Sequence, residues 1–267
     1  MRLAPSGDAI WVLYRDPNGL VEFGLDTLSP RKRIGLNAAP DHFDVSSEGL
    51  AVIASSAGRA VMVASLDHAA VERTIPLANP PRMVLFQQKG KQIIAASNAE
   101  RSLTMIDVPS GNVLVRLPVP MQPRNFCNVD EGTLFVTGDG IDAVVVVYPY
   151  QTEIGETTLA GRSPAGMAVV GNKLLVANPP TNTVTVLDTD TRRLLAVVEV
   201  GQEPREILIT PDNQFALVLN QKSGDVAVIR IAWLDGRERV HRYKSGSLFT
   251  LIPVGQKPVS AAVVRLS

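Results

Sequence analysis

The chain has 267 residues, with 26 basic and 26 acidic side chains and a formal net charge of zero. That balance removes any global electrostatic drive toward nucleic acid or an anionic membrane. Hydrophobic residues make up 45% and charged residues 19%, so a large core is affordable and a disordered, highly charged chain is excluded.

The first residues, Met1-Arg2-Leu3-Ala4-Pro5-Ser6-Gly7-Asp8, contain no apolar stretch of the kind that opens a secretory signal. No apolar run anywhere approaches the roughly 18–20 residues needed to span a bilayer. A single cysteine, Cys127, excludes an internal disulfide and any cysteine-based metal cluster.

From there the chain repeats itself. Pro40, Pro81, Pro123, Pro164, Pro204 and Pro258 open successive units, at steps of 41, 42, 41, 40 and 54 residues. After each of the first five comes an apolar run, then a polar or glycine-rich turn. These turns are Ser46-Ser47-Glu48-Gly49, Gln88-Lys89-Gly90, Asp130-Glu131-Gly132, Gly171-Asn172-Lys173 and Pro211-Asp212-Asn213. A second apolar run follows, then an alternating third such as Thr183-Val184-Thr185-Val186-Leu187-Asp188, and a fourth such as Leu194 to Val200. Four strands in about 40 residues, joined by short turns, predict one antiparallel propeller blade per repeat. A lone blade cannot bury both faces, so the repeats are expected to form one β-propeller domain over residues 1–267. The longer last step falls between the third and fourth strands, around 232–247, and predicts an inserted loop or hairpin.

The clearest copy runs from Leu174 to Thr210. Its Val176-Ala177-Asn178, Thr183 to Asp188, Val200-Gly201 and Thr210-Pro211-Asp212-Asn213 resemble the YVTN-type β-propeller repeat. Weaker copies are Ala96-Ser97-Asn98 with Thr104-Met105-Ile106-Asp107, and Leu219-Asn220 with Val226-Ala227-Val228. The resemblance implies an all-β propeller of the WD40-like/YVTN superfamily, a class of binding and surface modules whose relatives include lactonases and haem-containing domains. It also implies a periplasmic or cell-surface location if an upstream signal peptide is missing; otherwise a cytoplasmic one is expected.

The ends suggest two closures. Pro258–Ser267 aligns with an innermost strand and is expected to act as a C-terminal closing strand. One plan has seven blades, truncated at the N-terminus. The alternative is a closed six-blade ring in which Ala261–Leu266 displaces Met1–Ala4.

The repeat prolines precede the innermost strands, so the residues after them should gather near one mouth of an axial channel. Asp41, His42, Arg82, Arg124 and Arg205 stand there, and the second-strand exits Asn98, Asn178 and Asn220 are expected on the same face. Converging guanidinium and amide donors suit an anionic or carbonyl-rich ligand. The structural alternative is that the arginines pair with nearby acids such as Glu206 and tie blades together. Asp26, Asp67, Asp107 and Asp188 close third strands in separate blades and read as turn caps, too dispersed to share a cation. His42, His68 and His241 are scattered, and no metal-binding spacing appears. In the insertion, Arg237, Arg239, His241, Arg242, Tyr243 and Lys244 are diluted by Asp235 and Glu238, which favours a solvated loop over a polyanion site.

Taken together, the residues predict a non-enzymatic binding or protein-interaction propeller with no cofactor and no metal. Its ligand or partner, an unknown protein or a small anion, would sit at the channel mouth; no nucleic acid is expected, and a monomer is. The alternative is a lactonase-like hydrolase built on the channel-mouth Asp, His and Arg residues.

Overall fold

In the computed structural model, residues 1–129, 132–148, 153–234 and 247–264 are described. They are all-β, in six four-stranded antiparallel sheets, each taking its strands in chain order as a propeller blade does. Blade 1 consists of β1 (Arg2–Leu3), β2 (Ala9–Arg15), β3 (Asn18–Gly24) and β4 (Pro30–Gly35). Blade 2 has β5 (His42–Val45), β6 (Leu50–Ser55), β7 (Ala60–Ser65) and β8 (Ala70–Pro76). Blade 3 has β9 (Met83–Gln87), β10 (Gln92–Ser97), β11 (Ser102–Asp107) and β12 (Val113–Pro118). Blade 4 has β13 (Gln122–Asn128), β14 (Leu134–Asp139), β15 (Ala143–Tyr148) and β16 (Glu153–Leu159). Blade 5 has β17 (Met167–Val170), β18 (Lys173–Asn178), β19 (Thr183–Asp188) and β20 (Leu194–Glu199). Blade 6 has β21 (Pro204–Ile209), β22 (Phe215–Asn220), β23 (Asp225–Arg230) and β24 (Leu248–Pro253).

The chain divides into two compact units, Met1–Arg124 and Asn125–Ser267. Blades 1 to 3 belong to the first and blades 4 to 6 to the second, with the division inside β13.

The middle strands explain why the repeats read as continuous apolar runs rather than as alternation. Successive side chains on a strand point to opposite faces, and in blades 2 and 5 both faces are covered. On β6, Ala51 and Ile53 pack with Trp11, Leu20 and Ile34 of blade 1. Their neighbours Val52 and Ala54 pack with Val84, Phe86 and Ile93 of blade 3. In the second unit Leu175 and Ala177 of β18 face blade 6 residues such as Ile207 and Val218, whereas Leu174 and Val176 pack with Phe135 and Val144 of blade 4. β6 and β18 thus each serve two interfaces, and both residue sets of such a strand must be apolar.

Every blade also carries a register shift between its third and fourth strands. The six lie at Glu22/Phe23, Val63/Ala64, Met105/Ile106, Val146/Val147, Val186/Leu187 and Val228/Ile229. A bulge at this point adds local twist and bends the outermost strand.

The ends and the insertion refine the sequence reading. Residues 258–264 join no sheet, so among the described residues the expected closing strand is absent. The inner position of blade 1 is already filled, because Arg2 pairs with Trp11 and Leu3 with Ile10. In blade 6 a 3₁₀ turn at Ile231–Leu234 follows β23, and β24 begins at Leu248. Residues 235–246, with the basic cluster expected there, lie outside the described residues.

Candidate functional site

A cluster of ionisable side chains lies in the first unit, where the innermost strands β1, β5 and β9 run beside one another. Each inner strand is the edge of its own sheet, and its outward backbone N–H groups need acceptors from elsewhere. Blade 2 supplies them to blade 3. The Phe86 N–H donates to Asp44 Oδ2 at 2.9 Å, and the Val84 N–H donates to His42 Nδ1 over a longer 3.4 Å. On the other side, Arg2 of β1 donates from Nε to Asp44 Oδ1 at 3.1 Å. Asp44 therefore ties three blades together.

His42 is half-buried. Burial, reinforced by the Arg2 guanidinium, pushes its pKa down to about 3. The ring is neutral at pH 7, with its Nδ1 lone pair occupied by the Val84 N–H, so the proton resides on Nε2. A general base needs a free lone pair in reach of a proton, and this imidazole has given its own to the backbone.

Asp41 stands just before β5. Its N–H bonds to Ala54 O at 2.8 Å, as Arg82 bonds to Ala96 O and Ala165 to Ala177 O in their own blades. This recurring bond fixes the residue after Pro40, Pro81 and Pro164 at the exit of the neighbouring second strand. The Asp41 side chain is only 10% exposed. One oxygen, Oδ2, accepts from Ser56 N at 2.7 Å and Ser56 Oγ at 2.5 Å. The other, Oδ1, accepts from Arg15 Nη2 at 3.0 Å and faces Arg82 Nη1 at 3.5 Å. Arg15 also donates from Nε to Pro40 O at 2.9 Å. Arg15 and Arg82 are 64% and 53% exposed. Two accessible guanidiniums thus share one nearly buried carboxylate, which leaves the cluster with a net positive charge and N–H groups to spare.

Of the eight candidate residues, Asp41, His42 and Arg82 come together here with Arg2, Arg15, Asp44 and Ser56, which the sequence reading did not single out. Arg15 was legible in one respect. It is the last residue of β2 and pairs with Asn18 across the turn, the same place that Ser55, Ser97, Asn178 and Asn220 occupy in their blades. Matching second-strand exits by pairing position rather than by residue type leads to it.

The asparagines do something else. Asn178 donates from Nδ2 to Thr185 Oγ1 at 2.8 Å and to Val176 O at 3.3 Å. A Cβ on Gly161, in the loop before β17, would meet the Asn178 amide at 2.5 Å, so that loop closes onto the amide only as glycine. Asn220 repeats the device: its Nδ2 donates to Asp225 Oδ1 at 2.6 Å, and a Cβ on Gly201 would lie 2.6 Å from that Nδ2. Both asparagines are fully buried locks of the connection into their own blade. Asn98 lies one residue beyond β10, so Ser97 is its structural counterpart to Asn178.

Arg205 pairs with Glu203 at 2.5 Å rather than with Glu206, and Glu206 Oε1 instead faces Ser260 Oγ at 3.5 Å. Arg124 ends the first unit and is exposed. Cys127 sits in the inner strand β13 at the position that Asp44 holds in β5, next to the Val169 N–H, and burial pushes its thiol up to about 12.

Two of the third-strand aspartates, Asp107 and Asp188, are turn acceptors. Asp188 takes the Thr191 N–H at 2.7 Å and Asn172 Nδ2 at 2.8 Å, and Asp107 takes the N–H and hydroxyl of Ser110. These bonds hold both carboxyls below the usual range. Among the described residues no group of three or more His, Cys, Asp or Glu is placed to hold a metal, and no helix is long and apolar enough to cross a membrane.

Comparison with known proteins supports the fold. Residues 144–238 match the family model "Lactonase, 7-bladed beta-propeller", little more than a third of the chain. Among solved structures, Kuenenia stuttgartiensis hydrazine synthase superposes with a TM-score of 0.80 at 13% identity, over 96% of this chain and 86% of that one. A functionally unknown protein from Desulfotomaculum acetoxidans DSM 771 superposes with a TM-score of 0.76 at 16% identity, over 86% of this chain and 77% of its own. At such identities the likeness is one of fold. No curated protein sequence matches the chain.

Proposed function

We propose that the protein is a non-enzymatic binding module that captures a small anion, a carboxylate or phosphate, on Arg15 and Arg82. The observation that carries this reading is the pair of exposed guanidiniums held on the single buried carboxylate of Asp41. Asp41 fixes their positions and offsets one of their two charges. The remaining N–H groups form a planar donor set suited to carboxylate or phosphate oxygens. The same contacts argue against catalysis at this place. Asp41 has both oxygens occupied, and His42 holds its free lone pair against the Val84 N–H.

A second reading, a lactonase-like hydrolase, draws on the family match at residues 144–238. That segment contains Asn178, Arg205 and Asn220 but none of Asp41, His42, Arg82 and Arg124.

Calorimetric titration with inorganic phosphate, succinate and gluconate, run beside a hydrolysis assay on glucono-1,5-lactone, separates the two. The binding reading expects saturable uptake of at least one anion, weakened about tenfold by Arg15→Gln or Arg82→Gln, with lactone opening at the buffer rate. Lactone turnover that disappears in Asp41→Asn or His42→Gln would establish the hydrolase instead. Absence of saturation by all three anions up to millimolar concentration would sink the anion site.

A further inference from the structure

The outermost strands of the blades are free sheet edges, and five of the six carry charge that discourages pairing with another chain. β4 presents Arg31, Lys32 and Arg33, β8 has Glu72 and Arg73, β12 has Arg116, β16 has Glu156 and β20 ends in Glu199. β24 is the exception. It reads Leu248-Phe249-Thr250-Leu251-Ile252-Pro253, with no charge, and Phe249 to Pro253 are all exposed. It is the last strand of its sheet, so its outer edge has no partner among the described residues.

Beside this edge stands a second unusual feature. Arg230, the last residue of β23, lies over three aromatic rings: Trp233 at 4.7 Å, Phe249 at 5.1 Å and Phe215 at 5.5 Å to the centroids. Trp233 and Phe249 are 45% and 53% exposed. Arg230 pairs with no carboxylate among the described residues, and its buried Nε has no hydrogen-bond partner. Aromatic faces stabilise a guanidinium, but they do not neutralise it. Tryptophan, arginine and phenylalanine around an apolar row are the composition of a binding hot spot.

We propose that the free edge of β24 is a docking strand for an extended segment of another protein, one that alternates apolar residues with an acid that pairs with Arg230. Main-chain hydrogen bonds to β24 would supply affinity, and Phe249, Leu251 and Ile252 would receive the partner's apolar side chains. Charge complementarity selects this occupant over a second copy of the chain. Covering Arg230 with a partner removes its water and demands an acid in return, and β24 has none to give a twin.

The test uses the whole chain as bait for a displayed library of random seven-residue peptides, followed by titration of the enriched peptides after synthesis. Enriched peptides should alternate apolar residues with at least one Asp or Glu. Arg230→Gln and Ile252→Asp should each weaken their binding about tenfold or more, whereas Leu159→Asp, on the exposed β16, should leave it unchanged. Circular dichroism of all three variants should match the parent, since Leu159 and Ile252 are exposed and glutamine keeps part of the Arg230 stem. Backbone amides over 248–252 should exchange more slowly in the complex. Failure to enrich any peptide, enrichment of peptides without acids, or affinity indifferent to Arg230→Gln would overturn the proposal. Self-association of the chain that Ile252→Asp abolishes would overturn it in favour of a second copy.

Discussion

The two units build the same blades with different materials at the inner strands. In the first, blades are joined by ions: Asp44 between Arg2 and the Phe86 N–H, and Asp41 between Ser56, Arg15 and Arg82. In the second, they are joined by close approach. A Cβ on Gly166 would collide with the Arg205 carbonyl, and Gly161 and Gly201 sit against the amides of Asn178 and Asn220. The forces at the two sets of junctions differ. Charged junctions keep side chains at the surface that can serve a ligand, at the cost of sensitivity to salt. Glycine and amide junctions carry no charge to screen, and the half-exposed Arg205 guanidinium beside them is paired with Glu203. The difference explains why the candidate site belongs to the first unit although the sequence repeat is clearest in the second.

Removing the central charge should break the comparison most forcefully. Asp41→Ala would leave the Ser56 N–H without its acceptor and Arg15 and Arg82 without their counter-charge. Loss of one partner of a buried ionic group costs about 3–5 kcal/mol, and the high exposure of both arginines argues for the lower end. Denaturant unfolding should show that loss, with partial recovery in high salt as the two guanidiniums are screened from each other.

The matching change in the second unit is Gly166→Ala. The added methyl meets backbone rather than a flexible side chain, so the Arg205 carbonyl must move. Overpacking of this kind costs about 1–3 kcal/mol, and here the loss should not depend on salt between roughly 0.05 and 0.5 M. A salt dependence equal to that of Asp41→Ala would erase the distinction between the two units.

Much of this was legible in the residues. The proline spacing and four apolar runs per repeat identified the blades, because a middle strand packed between two neighbours needs both of its faces apolar. The residue after each repeat proline was also readable, which brought Asp41 and Arg82 into view. Arg15 escaped because the second strand of blade 1 ends in Arg15-Asp16-Pro17 rather than in an asparagine, and residue type was the guide. For the same reason Asn98 was equated with Asn178, although the last ladder pair of that hairpin is Ser97 with Ser102. Nor could a one-dimensional reading see that side chains of one inner strand satisfy the edge N–H groups of the next. That pairing joins residues 42 positions apart, and it gives Asp44 and His42 structural work.

The smallest expected effect concerns His42. A histidine whose folded pKa is about 3, against roughly 6.5 when unfolded, binds more protons in the unfolded chain at every pH between those values. Its neutral form in the native state therefore costs nothing above about pH 6.5, and stability declines as the pH falls from there toward 3. At pH 5.5 the loss is about 1 kcal/mol, one pH unit of linkage at 1.36 kcal/mol per unit. The carboxylates whose pKa values are depressed in the folded chain, Asp8, Asp26, Asp107, Asp188 and Glu203, lose their contribution only as the pH passes below their unfolded values near 4. The window from about 5 to 6.5 thus isolates histidine. His42→Gln keeps a side-chain acceptor for the Val84 N–H and removes the titration, so its stability should stay level across that window while the parent's declines. A parent curve that is already flat there, or a decline that persists unchanged in His42→Gln, would mean that the proton uptake belongs to another group and that the junction between β5 and β9 is not pH-sensitive.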